Sequence, residues 1–132
     1  NTMYELTKII NYEVTRDLVL ESQKTNQSYT VFDDSDILGD DKFNFLKTGN
    51  RYSCRISILG DLSDSVSGTK FKVIGQEKVG GVKFRKVFNS VGDLFYLPAY
   101  DTKESNSIIY LNVKRYDLLS VNEIIYNKDF RK

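Results

Sequence analysis

Residues Thr69–Phe88 read TKFKVIGQEKVGGVKFRKVF, two strand-like runs joined by a pair of glycines. Gly80-Gly81 between such runs predicts a two-residue hairpin turn, because both central residues of that turn take positive φ and glycine does so without steric cost. The turn sets the register, with Val79 opposite Val82, Lys78 opposite Lys83 and Gln76 opposite Arg85. Alternate cross-strand pairs share a face. Lys78, Lys83, Gln76 and Arg85 are therefore expected together near the tip, with Val79, Val82, Phe84, Val73 and Phe88 on the other side. One face of this finger is basic and the other apolar. Like charges set opposite each other weaken a hairpin, so Lys78 beside Lys83 implies a counter-charge elsewhere in the fold or an anionic partner.

Period-two alternation continues outward from the finger. Upstream, Arg51 to Gly60 sets Tyr52, Cys54, Ile56 and Ile58 against Arg51, Ser53, Arg55 and Ser57, a half-buried strand followed by the polar loop 61–68. Nearer the start, Tyr12, Val14, Leu18 and Leu20 alternate with Glu13, Thr15, Asp17 and Glu21. That strand turns through the polar stretch 22–27 into Ser28–Phe32, and Arg16 is its one misfit. Thr2 followed by Glu5 has the form of a capping box, and with Tyr4, Ile9 and Ile10 it predicts a short helix over residues 3–10. Downstream, NSVGD (89–93) turns into Leu94–Leu97, which Pro98 ends or leaves at an edge. After the charged loop 101–107, Ser107–Leu119 reads as a long strand. Ile109, Leu111 and Val113 lie on one face, and Tyr110, Asn112, Lys114 and Tyr116 on the other, with Arg115 beside them. Val121–Tyr126 is a final apolar element, and 127–132 a polar tail.

About six or seven antiparallel strands with at most two short helices predict an all-β or β-dominated α+β fold, either a small barrel or a sandwich. A five-stranded barrel of the oligonucleotide-binding type suits residues 50–119, taking Arg51–Gly60 as its bent first strand and the glycine hairpin as two more. The 132 residues and their 40% apolar content supply one core, so a single domain is expected over 1–132, with an N-terminal hairpin at about 11–32.

Composition narrows the function classes. The absence of histidine removes the side chain most used for acid–base catalysis and zinc ligation near neutral pH. Cys54 sits in an apolar row, as a small core residue does, and a single cysteine forms no internal disulfide, which fits a reducing, cytoplasmic setting. The segment DDSDILGDD (33–41) crowds oxygen ligands around Gly39. With Asp34 and Asp36 in the first and third positions of a calcium loop, however, Leu38 and Phe45 fall where ligands are required. It reads instead as a turn whose acids favour the N-terminus of a short helix, 40–47, closed by Gly49. Asp33/Asp34 and Asp40/Asp41 could in principle hold magnesium, but adjacent acids in a loop are far more often solvated and no phosphate motif accompanies them, since GQEKVGG lacks the GK[ST] ending of a phosphate loop. No catalytic residue, metal or cofactor is assigned. Lysine, asparagine, isoleucine, tyrosine and aspartate are abundant, as in the AT-rich genomes of many bacteria and their phages.

Residues 1–50 carry five Lys/Arg against nine Asp/Glu, and 51–132 fourteen against nine, so the basic charge lies in the part that contains the finger. Cations interleaved with nine tyrosines and eight phenylalanines suit a non-catalytic module that binds single-stranded nucleic acid. Lys70, Lys72, Lys78, Lys83, Arg85, Lys86 and Lys114 are the expected phosphate contacts, and Tyr110 and Tyr116, with Phe95 or Tyr96, the base-stacking surfaces. The alternative is a protein–protein module such as an inhibitor, an immunity-type partner or a structural subunit of a phage or mobile-element assembly, contacting a basic surface through 33–41. No membrane contact is expected.

Overall fold

The Gly80-Gly81 turn forms as the sequence requires, with φ of 58° and 79° and the pairs Val79↔Val82, Lys78↔Lys83 and Gln76↔Arg85. The structure, a computed structural model, describes residues 2–35, 42–99 and 107–125. Among these are nine strands and no α-helix: β1 (Thr2–Asn11), β2 (Arg16–Ser22), β3 (Ser28–Asp33), β4 (Arg51–Leu62), β5 (Thr69–Val79), β6 (Val82–Phe88), β7 (Leu94–Pro98), β8 (Ile108–Val121) and β9 (Ile124–Ile125). The fold is all-β.

All nine strands belong to one mixed sheet, ordered β3-β2-β1-β4-β7-β6-β5-β8-β9, which the further pairings β3–β8 and β4–β8 turn back on itself. One circuit runs β1–β2–β3–β8–β4 and returns to β1, with β3 parallel to β8 through Val31↔Tyr116 and Phe32↔Asp117. Between β4 and β8 the chain inserts β5, β6 and β7. This segment is tied to β8 over 69–72 and to β4 at Ser57↔Tyr96. The glycine hairpin thus lies outside the first circuit, which takes the N-terminal hairpin in its place.

Residues 3–10 are strand, where the capping-box pattern predicts helix. Tyr4 and Leu6 alternate with exposed or half-buried neighbours, and β1 pairs with β2 on one edge and β4 on the other. Two ladders outweigh the weak propensity of so short a helix. The second strand starts at Arg16, later than the alternation from Asn11 suggests, because Tyr12 and Val14 lie exposed in the turn that joins β1 to β2. Of the helix expected over 40–47, Asp40 and Asp41 lie outside the described residues, and 42–45 form turns that seat Phe43 and Leu46 in the core. Gly49, at φ 88°, donates its N–H to the carbonyl of Leu6 (2.7 Å).

Bulges decide which way β8 faces. Opposite β4 the register jumps from Gly60↔Val113 to Leu59↔Arg115 and from Ile56↔Leu118 to Arg55↔Ser120, so Lys114 and Leu119 are extra residues. The first jump puts Lys114 and Arg115 on the outer side and turns Tyr116 inward with Val113. The second sends Leu118 into the main core and Leu119 to a smaller outer cluster with Val79, Phe84 and Tyr96. Gly60 is required at the first bulge, because a Cβ there would stand 2.5 Å from the carbonyl oxygen of Asn112 and 3.2 Å from Cα of Val113.

A buried carboxylate fastens the inserted strands to the first circuit. Asp93, fully buried in the β6–β7 turn, accepts hydrogen bonds from the hydroxyls of Ser22 and Thr25 (both 2.6 Å) and of Tyr29. Asn89 orients that turn by accepting from the amides of Gly92 and Asp93 (3.0 and 2.9 Å) and donating to the Tyr29 hydroxyl (2.8 Å). Next to this knot Phe95 stacks on Tyr116, centroids 5.0 Å apart, and meets Tyr29 edge-on at 5.1 Å.

Two substitutions test this reading by urea unfolding. Asp93→Ala strips three hydroxyls of their acceptor and should cost about 3 kcal/mol or more, with Asp93→Asn, which keeps one carbonyl oxygen, less damaging. Gly60→Ala should cost about 1–3 kcal/mol, because the added methyl meets backbone that no side-chain rotation can clear.

Candidate functional site

The cations of the finger do not share one face. The register jumps between Val73↔Val87 and Gly75↔Lys86, making Ile74 an extra residue of β5. Below the bulge Phe71 and Val73 point into the core while Lys70 and Lys72 point outward. Above it, Gln76 and Lys78, both exposed, continue the face of Val73, with Arg85 and Lys83 opposite them. Val73 therefore lies on the face of Arg85 and not across from it, because sequence alternation cannot anticipate an inserted residue. Lys70 and Lys72 are exposed, and Lys70 pairs directly with half-buried Tyr110. Lys78 and Lys83 are exposed at the tip. Arg85, expected among them as a surface phosphate contact, is 1% exposed.

Lys86 belongs to a separate cluster on the other face. Glu77 lies 3.8 Å from the Lys86 ammonium and 3.0 Å from Nε of Arg55, and accepts from the Tyr96 hydroxyl at 3.3 Å. Arg55 also donates to Ser120 and Glu123, both at 3.2 Å. This network joins β5, β6 and β7 to the start of β4, and Lys86 works inside it. The expected stacking residues Phe95 and Tyr96 are buried, and Tyr116, expected outside, packs on the core because of the Lys114 bulge.

Where β3 and β8 part company beyond their two-residue pairing, a groove of about 410 Å³ opens, lined by Asp17, Thr30, Phe32, Val113, Lys114, Arg115 and Tyr116. Of the residues expected to bind, Lys114 and Tyr116 meet here; Lys70 and Tyr110 lie elsewhere on β5 and β8. The arginine plane of Arg115 covers the Phe32 ring at 4.4 Å, and its Nε lies 2.6 Å from Asp117. Burial raises the Asp117 carboxyl above its ordinary range, and the hydrogen bond from Arg115 opposes that shift. Lys114 reaches Asp61 at 2.9 Å, but both ends are more than half exposed, so the pair is weak and Lys114 stays available. Asp17 accepts from the Tyr12 hydroxyl at 2.9 Å.

Phe32 and Asp17 are groove residues that linear reading leaves aside, and Arg115 is one that it places only beside Lys114 and Tyr116. Phe32 ends a strand, Asp17 looks like the polar half of an alternation, and their meeting with β8 depends on a parallel pairing far apart in sequence. The acidic segment has a partly structural explanation. Asp33 is buried against Arg16 (2.8 Å), whose Nη2 donates to the carbonyl of Phe43 (2.7 Å), so the misfit of β2 is the counter-ion of β3. The acids at 36, 40 and 41 lie outside the described residues.

Cys54 is buried, and burial pushes its thiol up to about 12. A neutral thiol closed off from solvent is a poor nucleophile. Ellman's reagent at pH 8 should therefore leave Cys54 unmodified in the native protein on the timescale of minutes and titrate one thiol in urea. Rapid native labelling would contradict the packing described. No family model, curated protein or solved structure matches this chain, so its function has to be drawn from its own geometry.

Proposed function

We propose that the chain is a non-catalytic module that binds single-stranded nucleic acid in the groove at the β3–β8 seam. The observation that carries this reading is the juxtaposition of Phe32, Arg115 and Lys114 along an open channel. An aromatic face beside exposed cations is the arrangement that holds a stacked base and its phosphate without regard to sequence. Arg115 already lies on the Phe32 ring as a planar cation, and a base takes the same place while the guanidinium swings to the adjacent phosphate. Asp17 offers an acceptor to exocyclic amino groups.

The connectivity supports the same reading. Five strands closed in the order β1–β2–β3–β8–β4 are arranged like the small oligonucleotide-binding barrels, whose ligands lie across the second and third strands, and the groove takes Asp17 from β2 and Thr30 and Phe32 from β3 beside its β8 residues. The exposed tip lysines add positive potential away from the groove and steer a polyanion toward the molecule.

Fluorescence anisotropy with a labelled thymine oligonucleotide at two salt concentrations tests the proposal. Binding should be micromolar or tighter at low salt and weaken steeply as salt rises. Phe32→Ala should weaken it about tenfold, within the roughly 1–3 kcal/mol found for stacked bases. Arg115→Ala should reduce the slope of log affinity against log salt by about 0.7 if it contacts one phosphate. Lack of binding at low salt, or an unchanged affinity in the Phe32→Ala protein, overturns the reading and directs the search to a protein partner.

A further inference from the structure

Arg85 has the largest of the fully buried side chains and is 1% exposed, yet its Nε, Nη1 and Nη2 make no hydrogen bond among the described residues. Arg16, Arg51, Arg55 and Arg115 each lie within salt-bridge distance of a carboxylate, while Arg85 has no ion pair among the described residues. A guanidinium cannot shed its proton to relieve burial, because it stays charged under all conditions in which the protein is folded. Closing such a group off from water without a counter-charge is strongly unfavourable. An anion is the missing partner.

The surroundings say which kind. Arg85 stands opposite Gln76 on β5, and further toward the tip on the same face Lys78 stands opposite Lys83, neither with an ion pair among the described residues. Two directly opposed ammonium groups weaken a hairpin unless an anion lies between or beside them. Two lysines and an arginine outweigh a monovalent carboxylate and match a dianion, and the forked guanidinium fits two oxygens of one phosphate. The Gln76 amide adds an uncharged donor. Near-complete burial of Arg85 also limits the shape of the occupant: a phosphodiester inside a strand would carry a sugar out on both sides, whereas an inorganic phosphate or a terminal phosphate monoester enters by one side.

We propose that the Lys78, Lys83 and Arg85 face of the β5–β6 hairpin is a phosphate-binding site, distinct from the seam groove, that takes a phosphate monoester or free phosphate with Arg85 as its desolvated ligand. The site does not depend on the groove reading, and Phe32→Ala together with Arg115→Ala should leave it unaffected.

Thermal unfolding in a phosphate-free buffer, with inorganic phosphate, thymidine 5′-monophosphate or thymidine added at matched ionic strength, is the test. Phosphate far above its Kd should raise the Tm of the wild-type protein by roughly 5 °C or more, with thymidine inert. A rise with the monophosphate as well identifies a terminal phosphate as the physiological occupant, and a rise with inorganic phosphate alone identifies an enclosed free ion. Arg85→Met keeps the volume and removes the charge, so without phosphate it should be at least as stable as wild type and should lose the phosphate response. Lys78→Ala with Lys83→Ala changes only exposed groups and should weaken phosphate binding about tenfold or more. A Tm that sodium chloride raises as much as phosphate, or no response to phosphate at all, overturns the proposal. So does a marked destabilisation by Arg85→Met in phosphate-free buffer, since the guanidinium would then be held by groups of the chain itself.

Discussion

The pairing of β4 with β8 is the constraint on which the rest of the structure depends. It runs from Cys54↔Val121 to Leu62↔Leu111 and belongs both to the circuit that contains the N-terminal hairpin and to the one that contains the glycine hairpin. A regular ladder of that length would hold every other side chain on one face throughout. The two bulges in β8 break the alternation, so one strand contributes Leu111, Val113, Tyr116, Leu118 and Val121 to the main core and Leu119 to the outer cluster. Gly60 permits the first of these shifts by letting two backbones approach more closely than any side chain allows.

Polar groups hold the inserted strands in place. Asp93 is buried without a cation among the described residues, but three hydroxyls and an ordered turn supply its hydrogen bonds. The Arg55–Glu77 cluster ties the other face of β5–β6–β7 to β4 and β8 through ion pairs and the hydrogen bond from Arg55 to Ser120. Buried polar networks stabilise one arrangement only when every member is paired, since a half-satisfied one costs more than an apolar core. Arg85 departs from that rule, and the departure gives it a functional reading.

The two proposed sites follow from the same architecture. The short parallel contact between β3 and β8 closes the first circuit but leaves the groove open beside it, with Phe32 and Arg115 at its edge. The hairpin projects its cations beyond the apolar part of β5, and the bulge at Ile74 selects which of them turn inward. In both places an irregularity in the ladder, and no special motif, exposes or redirects charge.

Local chemistry in the sequence was enough to determine the β class, the Gly80-Gly81 turn, its register and the core role of Cys54, because each depends on neighbours within a few residues. The alternation of Ile56, Ile58, Ile109 and Leu111 likewise identified core faces directly. Tertiary structure alone decided that residues 2–11 form a strand and that Tyr116 faces inward. It also decided that Arg16 pairs with Asp33, that Arg85 is buried, and that Phe32 meets Arg115. Each of these depends on a bulge or on a pairing between distant strands. A single inserted residue inverts every side chain after it, and no local pattern records where that insertion falls.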